Sequence, residues 1–186
     1  MVNRGAIVVL MALGLLAGCA STQTGSTRLT ASDFADLAAA VAAQLEASDA
    51  IADRSSADET WIVAMDRVEN LSGDFIPVSE QWWLMEKVRS ALPMRAIGER
   101  HAIRFVIPVE RLRELQALSP ELAGAGSERA PTHAMRAVIR SVERTGGGGR
   151  TDMYGADFEL IDLSSGEVVW SGRGEIKRVA FGRVWD

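Results

Sequence analysis

The sequence has one cysteine and two histidines in 186 residues, and each scarcity closes off a class of chemistry. A single cysteine excludes an intrachain disulfide and any zinc site built on a cysteine cluster. His101 and His133 do not form a His-x-x-x-His pair for a metal. Positive charge is also short. Twenty basic residues against 25 acidic ones give a formal net charge of −5, which argues against a nucleic-acid binder, since that needs a basic face to neutralise phosphates. No apolar run reaches the ~20 residues of a comfortable membrane span, and no internal repeat recurs at a fixed period. What remains is a chain of a length that suits one compact domain. Its 24% charged residues are close to a globular average, so wholesale disorder is not expected.

The start of the chain differs from the rest. Arg4 precedes an apolar run from Ala6 to Ala17, broken only by Gly14, and then Gly18-Cys19. A positive start, a short apolar stretch and small residues before a cut site make a secretory signal. Leu16-Ala17-Gly18-Cys19 resembles the bacterial lipoprotein box. That resemblance implies a diacylglycerol on the Cys19 thiol, cleavage before Cys19, and acylation of the new amino group. Ala20, rather than Asp, then implies anchoring in the outer membrane, on its periplasmic face. The competing reading is an ordinary signal peptide with a chance cysteine. Several acyl chains would hold the protein firmly, at about 0.8 kcal/mol per buried CH₂. The lipid would consume the only thiol, so no redox or nucleophilic cysteine remains, and no other cofactor is expected.

The expected organisation is a signal over 1–18, a lipidated tether over 19–28 and one α/β domain over 29–186. Ala20–Arg28 is a polar Ser/Thr/Gln/Gly segment, and its nine residues span roughly 30 Å when extended. The exported part carries 19 basic and 25 acidic residues. That balance shows no evident positive patch for anionic lipid.

Thr30-Ala31-Ser32-Asp33 has the form of a capping box. Phe34, Leu37, Ala38, Val41 and Leu45 follow at spacings of three and four, which predicts one buried helix face. Asp49–Glu59 is polar and turn-like. Thr60–Val68 suits a strand buried on both faces, and Asn70–Asp74 breaks it as a loop. Ser79–Leu92 is predicted helical, with Leu84, Met85, Val88 and Leu92 inward and Pro93 as its end. A second apolar strand covers Ala102–Val109. A helix then runs from Glu110 to about Leu118, with Leu112, Leu115 and Leu118 inward. Ser119–Pro131 is the expected mobile loop. From His133 the pattern alternates, with Met135, Ala137 and Ile139 on one face. Later Tyr154, Ala156, Phe158 and Leu160 oppose Asp157 and Glu159. Ser164-Ser165-Gly166 is a hairpin turn. Glu167–Ser171 and Glu175–Phe181 complete an antiparallel meander. The fold class is therefore α/β, a mixed sheet with helices packed on it.

Four segments together resemble the LpoB family of outer-membrane lipoproteins that activate penicillin-binding proteins, a family sharing the fold of the TolB amino-terminal domain and of CsgG. They are Leu29-Thr30 with Asp33; Val68–Ser72; Ala134–Val142; and Tyr154 with Leu160–Ser171 and Glu175–Arg178. The resemblance covers most of residues 29–181, and Asp162-Leu163 with Gly166-Glu167 and Trp170 is its most specific stretch. It implies a non-enzymatic periplasmic module that binds a protein partner, such as a penicillin-binding protein, in cell-envelope assembly. The family's residues at these positions are structural, so none is carried over as catalytic. The known activators reach inner-membrane synthases on a long disordered tether, whereas this one has about nine residues. A structural subunit of a CsgG-like secretion platform and an envelope hydrolase are the alternatives.

The remaining motifs have plain readings. Gly146–Arg150 lacks the Lys-Ser/Thr of a phosphate loop and precedes a strand, so it is a flexible hairpin connection. His133 begins a strand beside Pro131 and Thr132, and His101 sits in a charged turn. Each reads as a surface or hydrogen-bonded histidine rather than a catalytic base. Asp157 and Glu159 would serve glycoside hydrolysis only if a cleft held them about 5–9 Å apart, and a solvated strand face explains them more simply. Trp82 and Trp83 are more suggestive. Adjacent tryptophans on one helix cannot both face the core, so one lies at the edge, where aromatics anchor partner contacts. Trp185, near the carboxyl end, is a further candidate.

Overall fold

A computed structural model describes residues 26–119, 121, 130–146 and 149–181 of the chain. Its first helix, α1 (Ala31–Glu46), starts where the capping pattern predicts. The Asp33 amide donates to the Thr30 hydroxyl, and the Thr30 amide donates to the Asp33 carboxylate at 2.7 Å. Two of the donors that a helix start leaves open are thereby satisfied. Phe34, Leu37, Ala38, Val41, Ala42 and Leu45 are its buried face.

Six strands form one mixed sheet: β1 (Trp61–Met65), β2 (Glu69–Leu71), β3 (Ile103–Val106), β4 (His133–Gly146), β5 (Gly149–Asp162) and β6 (Val168–Phe181). Their order is β3-β1-β4-β5-β6, and β2 pairs with β4 beyond the end of β1. β1 is parallel to β3 and β4, while β4, β5 and β6 form an antiparallel meander. The architecture is the α/β class expected. Ile62–Met65 of β1 are all buried, as a parallel strand between two covered faces requires. The meander alternates. Met135, Ala137, Ile139, Tyr154, Ala156, Phe158 and Leu160 join the core on one face. α1 packs along β6 and against α3 (Val78–Ala91), which contributes Leu84, Met85 and Val88. The other face of the meander carries Arg136, Arg140, Asp157, Glu159 and Arg173, and no described helix packs on it.

Gly174 of β6 is set by this packing. A Cβ there would stand 2.0 Å from a Leu37 methyl, so only glycine lets α1 lie this close. Gly166 takes φ +74° in the Ser164–Gly166 turn. There the Asp162 carboxylate accepts from the Ser164 amide and hydroxyl, each at 2.7 Å.

Several sequence expectations need correcting. Asp49–Glu59 contains a short helix, α2 (Asp49–Ala52), because Ile51 finds a buried place. Asn70 and Leu71 belong to β2, whose parallel partner lies 69 positions away and is invisible locally. Pro93 ends α3 but also caps α4 (Met94–His101), since a helix start needs no amide donor from it. His101 is therefore the last residue of a helix, not part of a turn. α5 (Val109–Leu118) follows the edge strand β3 and buries none of its residues; Leu118 is 79% exposed, and Leu112 and Leu115 are half-buried. The two closing strands are one, β6, running through Gly172 and Gly174. The expected mobile loop lies largely outside the described residues.

Candidate partner-binding site

The two tryptophans of α3 part company. Trp82 is in the core, covered by the Arg111 guanidinium 5.4 Å from its ring. Arg111 is itself held by Glu86 at 3.3 Å and Glu114 at 3.1 Å. Trp82 is thus committed to packing, and Trp83 is the one at the edge. It is half-buried, meets Phe34 edge-on at 6.2 Å, and has the Lys87 ammonium 4.9 Å from its ring. Leu29, Ala31, Phe34, Ser79, Glu80 and Trp83 line a shallow notch of about 360 Å³ between the amino ends of α1 and α3. Its floor is apolar and its rim hydroxyl and carboxylate, which suits an apolar anchor from a partner.

The open face of the meander is a second surface. Asp157 takes Arg140 at 3.0 Å and Arg173 at 3.6 Å, and Arg173 also holds Glu175 at 3.2 Å. These pairs are exposed and add little to stability, but they commit Asp157 and Glu175, while Glu159 has no ion pair among the described residues. Toward the β4–β5 hairpin the face becomes a trough of about 580 Å³, with Val142 and Met153 exposed in it. Arg144 and Lys177 line it without a partner among the described residues.

A buried polar network fixes where the amino-terminal segment joins the fold. The fully buried Thr27 donates to the Asp152 carboxylate at 2.6 Å. Arg150 clasps the same carboxylate from Nε at 3.0 Å and Nη2 at 2.8 Å. The Tyr154 hydroxyl lies against the Thr27 carbonyl at 3.1 Å and donates to the Asp74 carboxylate. Burial, then the hydrogen bond to Asp74, push the Tyr154 phenol well above its ordinary range. A side chain 125 positions away gives no local signal, so the sequence assigned Thr27 to the free tether. It is part of the domain.

His133 and Asp162 line a cavity of about 450 Å³ at the other end of the sheet, together with Trp61, Thr132 and Ser164. The Thr132 hydroxyl accepts from the Ile62 amide at 2.9 Å and is hydrogen-bonded to His133 Nδ1 at 2.9 Å. The imidazole lies 4.1 Å from the Trp61 ring, and burial lowers its pKa. His101 Nδ1 donates to the Arg54 carbonyl at 2.8 Å. Arg54 in turn lies 3.9 Å above Trp61, a cation–π contact that sequence reasoning missed because α2 brings it there. Among the described residues no cluster of His, Cys, Asp or Glu is placed to hold a metal, and no helix is long and apolar enough to cross a membrane.

A family model described as the peptidoglycan-synthase activator LpoB matches residues 33–176. The chain belongs to the LpoB family. Among solved structures it is similar to the LpoB C-terminal domain of Salmonella enterica (14% identity, TM-score 0.43) and to that of Escherichia coli (13%, 0.45), each match covering 77% of this chain and 98% of that one. Lipoprotein GNA1162 of Neisseria meningitidis matches at 15% identity and TM-score 0.39, over 64% of this chain and 83% of that one. A search of curated proteins gives no match. Within the LpoB-family domain, Trp83 is the candidate partner residue that the structure leaves at the surface. Cys19 and Trp185 lie outside the described residues.

Proposed function

We propose that this chain is a non-enzymatic lipoprotein, joined by lipid at Cys19 to the periplasmic face of the outer membrane, that regulates a peptidoglycan synthase of the penicillin-binding class. The match to the synthase-activator family over residues 33–176 carries this reading. The surface supports it. Asp157 is paired with Arg140 and Arg173, while Trp83 offers an aromatic at the lip of an apolar notch. Because Thr27 is held in the domain, at most the residues between Cys19 and Ser26 separate the domain from the proposed anchor, a span of about 25 Å when extended. The domain therefore works close to the outer membrane, and the synthase segment it meets must extend to that level.

A photoreactive group in place of Trp83 tests the partner in intact cells. Crosslinking to a penicillin-binding protein is the expected result. Crosslinks only between copies of the chain, or only to secretion components, would overturn the synthase assignment. Cys19→Ala releases the protein from membranes; unchanged membrane fractionation with continued lipid labelling would refute the anchor.

A further inference from the structure

The network around Thr27 also sets which end of the domain faces the bilayer. Asp152, to which Thr27 is bound, is three residues from Gly149, where β5 leaves the β4–β5 hairpin. The tether thus emerges at the hairpin end, which seven extended residues keep within about 25 Å of the anchor. The Ser164–Gly166 turn is at the other end of β5, 14 residues and roughly 45 Å away.

Exposed apolar side chains occur at the hairpin end: Val142 and its partner Met153 lie four residues from the end of β4, Phe181 closes β6, and all three are exposed. Leu71 pairs with Arg140, and Gly73 donates to Ser141, which places the β2–α3 loop with Phe75, itself 90% exposed, beside the middle of β4. Phe181, opposite Gly149, is an aromatic side chain at the hairpin end. Charges of both signs lie here: Glu143, Asp152 and Glu175 each have an arginine partner and Asp74 accepts from Tyr154, whereas Arg144 and Lys177 have none among the described residues. The sequence showed no positive patch because its net charge is negative; strand alternation collects these two cations on one face.

Resting on the lipid anchor at Cys19, we infer that the hairpin end docks on the anionic phospholipid surface to which the chain is tethered, with Val142, Met153 and Phe181 at the interface and Arg144 and Lys177 on the headgroups. The opposite end, with Trp61, His133 and the Ser164–Gly166 turn, then points away from the membrane.

The test uses the lipidated chain in vesicles of phosphatidylcholine with or without phosphatidylglycerol. An environment-sensitive fluorophore is attached through Thr145→Cys or, separately, Ser165→Cys. On anionic vesicles the label at 145 shifts to the blue and is quenched by lipid-borne nitroxide, while the label at 165 stays in water. Arg144→Gln with Lys177→Gln lowers the docking equilibrium about 30-fold, from about fivefold per cation near an anionic surface, and 0.5 M salt acts in the same direction. A chain that floats with the vesicles while the label at 145 stays in water overturns the docking and leaves the anchor standing. A response at 165 instead of 145 overturns the orientation. A response at 145 only when a synthase domain or a second copy is added makes this face a protein interface and overturns the proposal. A chain that carries no lipid and does not float overturns the anchor, and the docking with it.

Discussion

Removal of the Asp152 carboxylate tests how firmly the amino-terminal segment is held. The group is 2% exposed and accepts from Thr27 and from two nitrogens of Arg150. Asp152→Ala strands the buried Thr27 hydroxyl, at about 1–3 kcal/mol. It also strands the Arg150 guanidinium. That side chain is 26% exposed, so water takes up part of its charge, and the ~3–5 kcal/mol for breaking a fully buried pair is not reached. The expected loss is about 3 kcal/mol, or about 9 °C in Tm for a domain of this size. Asp152→Asn keeps an acceptor for Thr27 and costs about half as much. Thr27→Val alone costs about 1 kcal/mol. Because the two changes share one hydrogen bond, the double variant should be more stable than the sum predicts by about 1 kcal/mol, beyond the ~0.5 kcal/mol scatter of independent sites. Urea unfolding followed by tryptophan fluorescence gives all four values, and hydrogen exchange at residues 27–29 reports the release of the segment. A loss under 1 kcal/mol for Asp152→Ala, or strict additivity, would refute the pinning.

Three further outcomes follow from the same structure. The folded Tyr154 pKa is raised above its ordinary 10.0, so folding stability is intact below about pH 10 and falls above it, where only the unfolded chain loses the proton; phenolate absorbance from this single tyrosine, appearing near pH 10 while the chain is still folded, would contradict this. Gly174→Val forces its Cβ onto Leu37 and costs about 1–3 kcal/mol, with part regained by adding Leu37→Ala; a neutral Gly174→Val by thermal melting would show that α1 is not seated as described. Gln44 donates to the Arg173 carbonyl at 3.0 Å and accepts from its amide at 3.2 Å, covering the β6 edge; Gln44→Ala costs about 1 kcal/mol and promotes self-association in sedimentation at high concentration, and an unchanged sedimentation profile would mean the edge is protected otherwise.

Those parts of the fold governed by near neighbours could be read from the sequence. The Thr30–Asp33 cap, the spacing from Phe34 to Leu45 and the alternation from Tyr154 to Leu160 are local patterns, and all three form as written. Distant pairing could not be read. β2 is only three residues long and exists because β4 offers it an edge. α5 has a helical apolar spacing, yet its place after an edge strand denies it a core to face. For the candidate site, steric reasoning showed that one of Trp82 and Trp83 must lie at the edge; which one depends on Arg111 closing over Trp82. The Thr27–Asp152 bond, which joins the amino-terminal segment to β5, had no sequence signal at all.

Glycan polymerisation by a penicillin-binding synthase from the same cell, with and without the lipidated chain on shared vesicles, measures the proposed role directly. The account predicts a faster rate with the chain present, and loss of that gain with Trp83→Ala at unchanged Tm. A rate that stays the same at every chain concentration, with no binding between the two proteins, would contradict it.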